Sequence, residues 1–171
     1  MEAIDLGLLV LRLAVGLTMA AHGAQKAFGW WGGPGFERWR GAITSMGFRP
    51  AALFAGVSTG AELVGGSLLA LGLLTPFAAA VVVAQSIVII GQAHWSRGFW
   101  NGGGGIEFPL ALAAGALAIG LAGAGTVALD SVLGFAFGDA IRELLLALAV
   151  VGGLVALAVP RVGRRDVAAH A

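Results

Sequence analysis

The chain has 171 residues, 58% of them hydrophobic and 11% charged, with a formal net charge of +1 and a mean hydropathy of +0.93. Soluble domains carry about 25% charged residues, and a domain this small cannot hide so much apolar surface from water. A soluble globular fold is therefore excluded, and an all-α integral membrane protein is expected. The lack of cysteine excludes disulfides, thiolate nucleophiles and cysteine-held iron–sulfur clusters, and the scattered basic residues argue against nucleic-acid binding.

Five apolar runs come near the roughly 20 residues that a bilayer crossing needs. The first, residues 4–26, is too long for a signal-peptide core and has no basic segment before it, so it reads as a retained span. It carries Arg12 and ends in His22, Gln25 and Lys26. After it comes GPGFERWRGAITSMGF, which Pro34 can start as a short interfacial helix. Phe36, Trp39, Ile43 and Met46 fall on one side, and Glu37, Arg38 and Arg40 on the other; an interfacial loop of the aromatic belt is the alternative. The second run, 51–74, holds Glu62, and the third, 77–94, holds Gln85, Gln92 and His94.

The stretch HWSRGFWNGGGGIEF, residues 94–108, joins the third run to the fourth, 106–124, whose Pro109 sits in the first turn where its missing N–H costs little. The four glycines match no phosphate-binding fingerprint, since no strand precedes them, and read as a close-packed connection. SVLGFAFGDA, 131–140, is too short and Gly-rich to span, and the fifth run is 141–159. Gly56 with Gly60, Ala111 with Gly115 and Ala116 with Gly120 have the spacing at which small residues let membrane helices approach.

With five spans, eight of the ten basic residues fall on one side: Lys26, Arg38, Arg40, Arg49, Arg97, Arg161, Arg164 and Arg165. The positive-inside rule then places the N-terminus outside and the C-terminus in the cytoplasm.

Charged and polar side chains within spans are costly and face the bundle interior or a cavity. Counting about 1.5 Å per residue from the outer surface puts Arg12 and Glu62 close enough in depth for an ion pair between the first two spans. That pair would either register the helices or act in the function. A second group gathers near the cytoplasmic interface. His22 and Lys26 share a face at i, i+4, His94 closes the third span, and Glu107 opens the fourth. Gln85 and Gln92 line the stripe leading to His94. No tight ligand spacing supports a metal site.

The segments HGAQKAFG, GAELVGGSLLALGLLTP, QAHW and FWNGGGGIEFPLALAAGALAIGLAGAGTVALD, in this order from about Leu11 to Asp130, resemble the DoxX family of small bacterial membrane proteins. The resemblance implies a four-helix membrane core over residues 1–130, to which this chain adds a linker and fifth span at 131–160 and a basic cytoplasmic tail at 161–171. It carries the family's polar signature onto His22, Lys26, Glu62, His94, Asn101, Gly102, Glu107 and Asp130, with Asp130 exposed on the outer side. Relatives of the DoxD type are subunits of a thiosulfate:quinone oxidoreductase, so the resemblance also implies a membrane subunit of a redox complex in the bacterial inner membrane.

In that reading His94, Glu107 and Glu62 do the proton chemistry. His22, Lys26, Gln92, Asn101 and Gly102 help to hold a quinone. Electrons arrive from a protein partner, and the chain could also form homo-oligomers. The alternatives are a structural anchor that recruits a soluble enzyme, and a carrier of a small anion or weak acid using Arg12, Lys26 and the glutamine stripe.

Overall fold

A computed structural model describes residues 2–169, with side chains through Val159. The side chains of Arg161, Arg164 and Arg165 lie outside the described residues. The elements are α1 (Ala3–Phe28), α2 (Gly35–Ser45), α3 (Ala51–Leu71), α4 (Thr75–Arg97), α5 (Glu107–Ala122), α6 (Leu129–Leu133) and α7 (Asp139–Ala169). Helices are the expected answer to a bilayer, because each satisfies its own backbone polar groups where no water can. Four of them, α1, α3, α4 and the described part of α7, are long and apolar enough to cross a membrane. The fourth expected span is the short one. α5 has 16 residues, about 24 Å of helix against a hydrocarbon core of about 30 Å.

Contacts between helices fix their directions. Gly16 lies against Gly66 and Ala70, and Gly23 against Leu63, so α1 and α3 are antiparallel. Gln85 reaches Ser58 while Gly65 faces Val81, which makes α3 and α4 antiparallel too. Gly120 meets Ala79 and Leu146, whereas Gly153 meets Ile87 and Gly91 meets Leu157. Thus α5 runs against both α4 and α7, and α7 runs parallel to α4. Five helices alternate in direction, so the basic loops after α1 and α4 lie on one end of the bundle, the α2 end. The loops around residues 72 and 123–138 lie on the other, the N-terminal end.

The core runs along α4, the helix that touches α3, α5 and α7. Ala78, Ala79, Val82 and Val83 pack there with Val15, Met19, Leu69, Ala116, Ile119, Leu146 and Ala149. Small residues make the approach possible. A methyl group at Gly16, Gly23 or Gly66 would run into the backbone of the facing helix, and one at Gly115 or Gly120 into side chains of Val15 or Leu146. The expected packing of Gly56 and Gly60 is not realised: nothing lies within 4 Å of a methyl built at either position. The α3 contact face instead carries Gly66, because a π-helical turn at Ala61–Gly65 shifts the phase of the helix beyond it. Large apolar side chains such as Leu17, Leu53, Leu144, Leu148 and Val155 face outward, as a lipid-contacting surface requires.

The N-terminal end is tied by carboxylates. Asp130 is 3% exposed and accepts from Leu74 N–H at 2.7 Å and Thr75 N–H at 2.9 Å. Its own N–H donates to Gly72 O at 2.8 Å. It therefore caps α4 from the short helix α6, distant in sequence, satisfying donors that a helix start leaves free. It also holds Leu74 in a left-handed conformation (φ 48°) that a residue with a side chain seldom adopts unaided. The expectation of an exposed Asp130 is overturned, since it lies in the first turn of α6, which packs against the turn between α3 and α4 and brings the carboxylate to these amides. Asp5 acts similarly, accepting from Thr126 N–H at 2.9 Å and Glu2 N–H at 3.1 Å.

Candidate functional site

At the α2 end a cavity of about 380 Å³ lies inside the bundle. α2 forms its roof. Trp39 and Ile43, on the apolar face expected for this helix, turn inward and meet Phe48 and Phe54. Met19, His22 and Lys26 of α1 line one wall, Ser58 and Glu62 of α3 another, and Gln85, Gln92 and His94 of α4 a third, while Phe108 and Leu112 of α5 complete it. His22 is exposed and sits edge-on to Phe108 with ring centroids 5.9 Å apart, which puts it at the mouth.

The centre of the polar wall is Glu62, 0% exposed. Its Oε1 pairs with Lys26 Nζ and accepts from Gln85 Nε2 at 3.0 Å, and the same amide nitrogen donates to Ser58 Oγ at 2.8 Å. Lys26 also lies 4.1 Å from the Trp39 ring centre, within cation–π range. Among the described residues, Glu62 Oε2 and Trp39 Nε1 are buried without a hydrogen-bond partner.

The expected Arg12–Glu62 pair is therefore replaced by Lys26–Glu62, and helix geometry explains why. Side chains lean toward the N-terminus of their own helix. On α1 that carries Lys26 inward from the α2 end, toward Glu62, and Arg12 away from it. On the antiparallel α3 the same rule tips Glu62 toward Lys26. Counting residues from the ends of the hydrophobic runs located the backbones, but it ignored this opposite lean. Arg12, 1% exposed, ends at the other end of the bundle, where Nη2 donates to Val127 O and the guanidinium packs on Gly72 and Ala128.

Of the four residues expected to converge, His22, Lys26 and His94 line the cavity and Glu107 does not. Glu107 Oε2 accepts from Asn101 N–H at 2.9 Å, and the loop zips shut through Ile106 N–H to Gly98 O at 3.0 Å and Glu107 N–H to Phe99 O at 2.9 Å. Glu107 thus closes its own loop. Asn101 and Gly102 are exposed in that loop, outside the cavity lining. Gly105 serves close packing, because a methyl there would strike the Gly98 and Phe99 backbone, whereas one at Gly102 would meet open space. Gly103, Gly104 and Gly105 spend their N–H groups on Trp100 and Asn101 carbonyls. The loop also fixes His94, whose Nδ1 is 2.6 Å from Gly104 O. A carbonyl only accepts, so Nδ1 carries the proton of this bond and Nε2 is the ring nitrogen left free of it.

Glu62 and His94 both sit in π-helical turns, Ala61–Gly65 and Ile90–His94, a feature frequent at functional sites. Trp39, expected on an interfacial helix, stands in the cavity wall, and so does Ser58, which no sequence feature marks. The i, i+4 spacing of Trp39 and Ile43 was the available signal; Ser58 offered none.

The fold and site define a polytopic helical membrane protein with a buried ion pair beside an internal cavity. The sequence model of the DoxX family matches residues 7–95, which carry α1 to α4 nearly to its end and most of the polar wall, and the chain belongs to that family. No curated protein and no solved structure matches it.

Proposed function

We propose that the protein is the membrane subunit of a quinone-linked oxidoreductase complex, with the cavity under α2 as the site for the quinone headgroup. The observation that supports it is the pairing of an apolar, aromatic-walled space with one buried polar wall. A quinone ring needs apolar enclosure, and its oxygens need a few placed polar groups. In this reading the cofactor supplies the two-electron chemistry and the protein binds, orients and handles protons. Glu62 and His94 are the proton-handling groups that face the ring, and Lys26, Gln85 and Trp39 position them. Glu107 acts through the loop that holds His94.

Electrons would come from a soluble or peripheral partner docking on the basic face formed by Arg38, Arg40, Arg49 and Arg97. By the positive-inside rule this face is cytoplasmic, in the bacterial inner membrane, with the N-terminus outside. The carrier reading loses support from the placement of Arg12, which lies at the far end of the bundle from the Lys26 cavity.

The test is purification in mild detergent followed by difference absorbance of the extracted lipid before and after borohydride. Retained quinone, lost on Trp39→Ala and on His94→Ala, is the expected result. No quinone together with stoichiometric co-purification of a soluble protein would replace this reading with that of a structural anchor.

A further inference from the structure

We infer that the cavity takes a ligand with a hydrocarbon chain, which enters sideways from the bilayer between α1 and α5 and leaves its chain in the groove between those helices. This rests on the reading of the cavity as the ligand site. It adds a route of entry and a ligand class, a ring carrying a lipid-soluble tail.

The cavity is shut toward the aqueous end. α2 covers it, with Ile43 and Phe48 buried, and the loop over residues 98–107 is laced to itself and to His94. The exposed lining residues lie on helix flanks instead. His22 on α1 and Phe108 on α5 face each other across the seam between those helices, and Val57 stands on α3. His22 is about 9 Å short of the end of α1 at Phe28. Trp30 and Trp31 follow that end, and Trp95 and Trp100 precede α5, all of them exposed. Tryptophans settle at the headgroup level, so an opening beside His22 lies on the hydrocarbon side of it.

Further along, α1 and α5 touch where Gly115 meets Val15 and Leu11. At about 3.6 residues per turn, Ala14, Thr18 and Ala21 of α1 and Ala111 and Ala114 of α5 fall on the outer side of this contact line. Met19 and Ile119, which face the core, fall on the other. Ala14, Ala111 and Ala114 are exposed, and Thr18 and Ala21 half-buried. The outward leucines Leu13, Leu17, Leu110 and Leu117 stand further round each helix as walls. The result is a lipid-facing groove with a floor of small residues, running about 12 Å from His22 to Ala14.

Small residues alone make a packing face. This groove ends at an apolar cavity in whose wall Glu62, fully buried, keeps one carboxylate oxygen without a partner, the combination expected of a ligand space. That continuity assigns the groove to the ligand's chain. Lipid tails are as apolar as the groove, so the groove guides the chain more than it holds it, and filling it acts by steric exclusion.

The experiment uses the full chain in lipid nanodiscs and two probes with one headgroup, a dimethoxy-methyl-benzoquinone without a chain and its decyl derivative. Uptake by protein-free discs is subtracted. Thr18→Phe and Ala111→Phe each put a ring into the groove beside the opening, where crowding costs about 1–3 kcal/mol. Each should weaken the decyl probe about tenfold and leave the chain-free probe unchanged. Ala147→Phe, on the exposed face of α7, should change neither. A decyl probe with a diazirine at the chain end needs no variant, and decides if the variants do not fold. It should label residues 14–21 and 110–118, and unlabelled decyl probe should displace it. Decyl binding untouched by both variants, both probes weakened alike in folded variants, or label around Val57 would overturn the inference and leave the cavity site standing. So would a dimer that either variant splits, read by light scattering, because the groove would then hold a helix of a second copy. Binding of neither probe, with no displaceable label, would overturn the site and the inference with it.

Discussion

The two ends of the bundle both bury charge, and they use it in opposite ways. At the N-terminal end, Asp130 and Asp5 give their carboxylate oxygens to the backbone amides of Leu74, Thr75, Thr126 and Glu2. Arg12 is packed directly on Gly72 and Ala128. At the α2 end, Lys26 and Glu62 pair side chain to side chain next to open space, and one carboxylate oxygen is left over. Charge spent on backbone builds a loop. Charge paired at a cavity wall keeps capacity for a ligand. Buried ion pairs add little net stability, since desolvation offsets attraction, but breaking one is costly.

The largest effect should come from breaking the cavity pair on one side only. Glu62→Leu leaves Lys26, whose side chain is 13% exposed, without its partner and should cost about 3–5 kcal/mol. The double variant Lys26→Met/Glu62→Leu should return to within about 1 kcal/mol of the wild type. Thermal unfolding in detergent reads both. Two equally damaging variants would mean that the pair is a structural tie like Asp130, and would erase the contrast between the ends.

Asp130→Ala comes next. Losing two charge-assisted hydrogen bonds at the start of α4 should lower stability by about 2–3 kcal/mol, while ligand affinity at the α2 end stays unchanged. A change in affinity would show that the ends are coupled.

Gly66→Ala should cost about 1–3 kcal/mol by overpacking α1 against α3. Gly60→Ala meets open space and should stabilise slightly, by up to about 1 kcal/mol of helix propensity. Trp39→Ala gives up about 1 kcal/mol of cation–π contact with Lys26 in addition to its apolar packing against the Ile43 and Phe48 cluster, and should also lose ligand retention, measured on the same sample.

Much of this was legible in the sequence, because the bilayer makes hydropathy nearly decisive. The expected runs 4–26, 51–74 and 77–94 correspond to helices at 3–28, 51–71 and 75–97, and the amphipathic reading of α2 anticipated which residues turn inward. Spacing also gave the shared face of His22 and Lys26 and the glutamine stripe. What failed was pairing. The i, i+4 rule says nothing about partners on another helix, so Arg12 was matched to Glu62 by depth, and Glu107 to His94 by proximity to one loop. Asp130 appeared to be an outer-surface residue because nothing local reveals that a helix start 55 positions earlier lacks a cap.

The sequence by itself determined the solvent, the helices and their alternation, since in lipid every backbone group must be satisfied within its own segment and apolar length sets the crossings. Only the tertiary structure decided which charges meet. That choice depends on the lean of side chains along antiparallel helices, on the phase shifts of two π-helical turns, and on glycines that let α1 and α3 come close enough for Lys26 to reach Glu62.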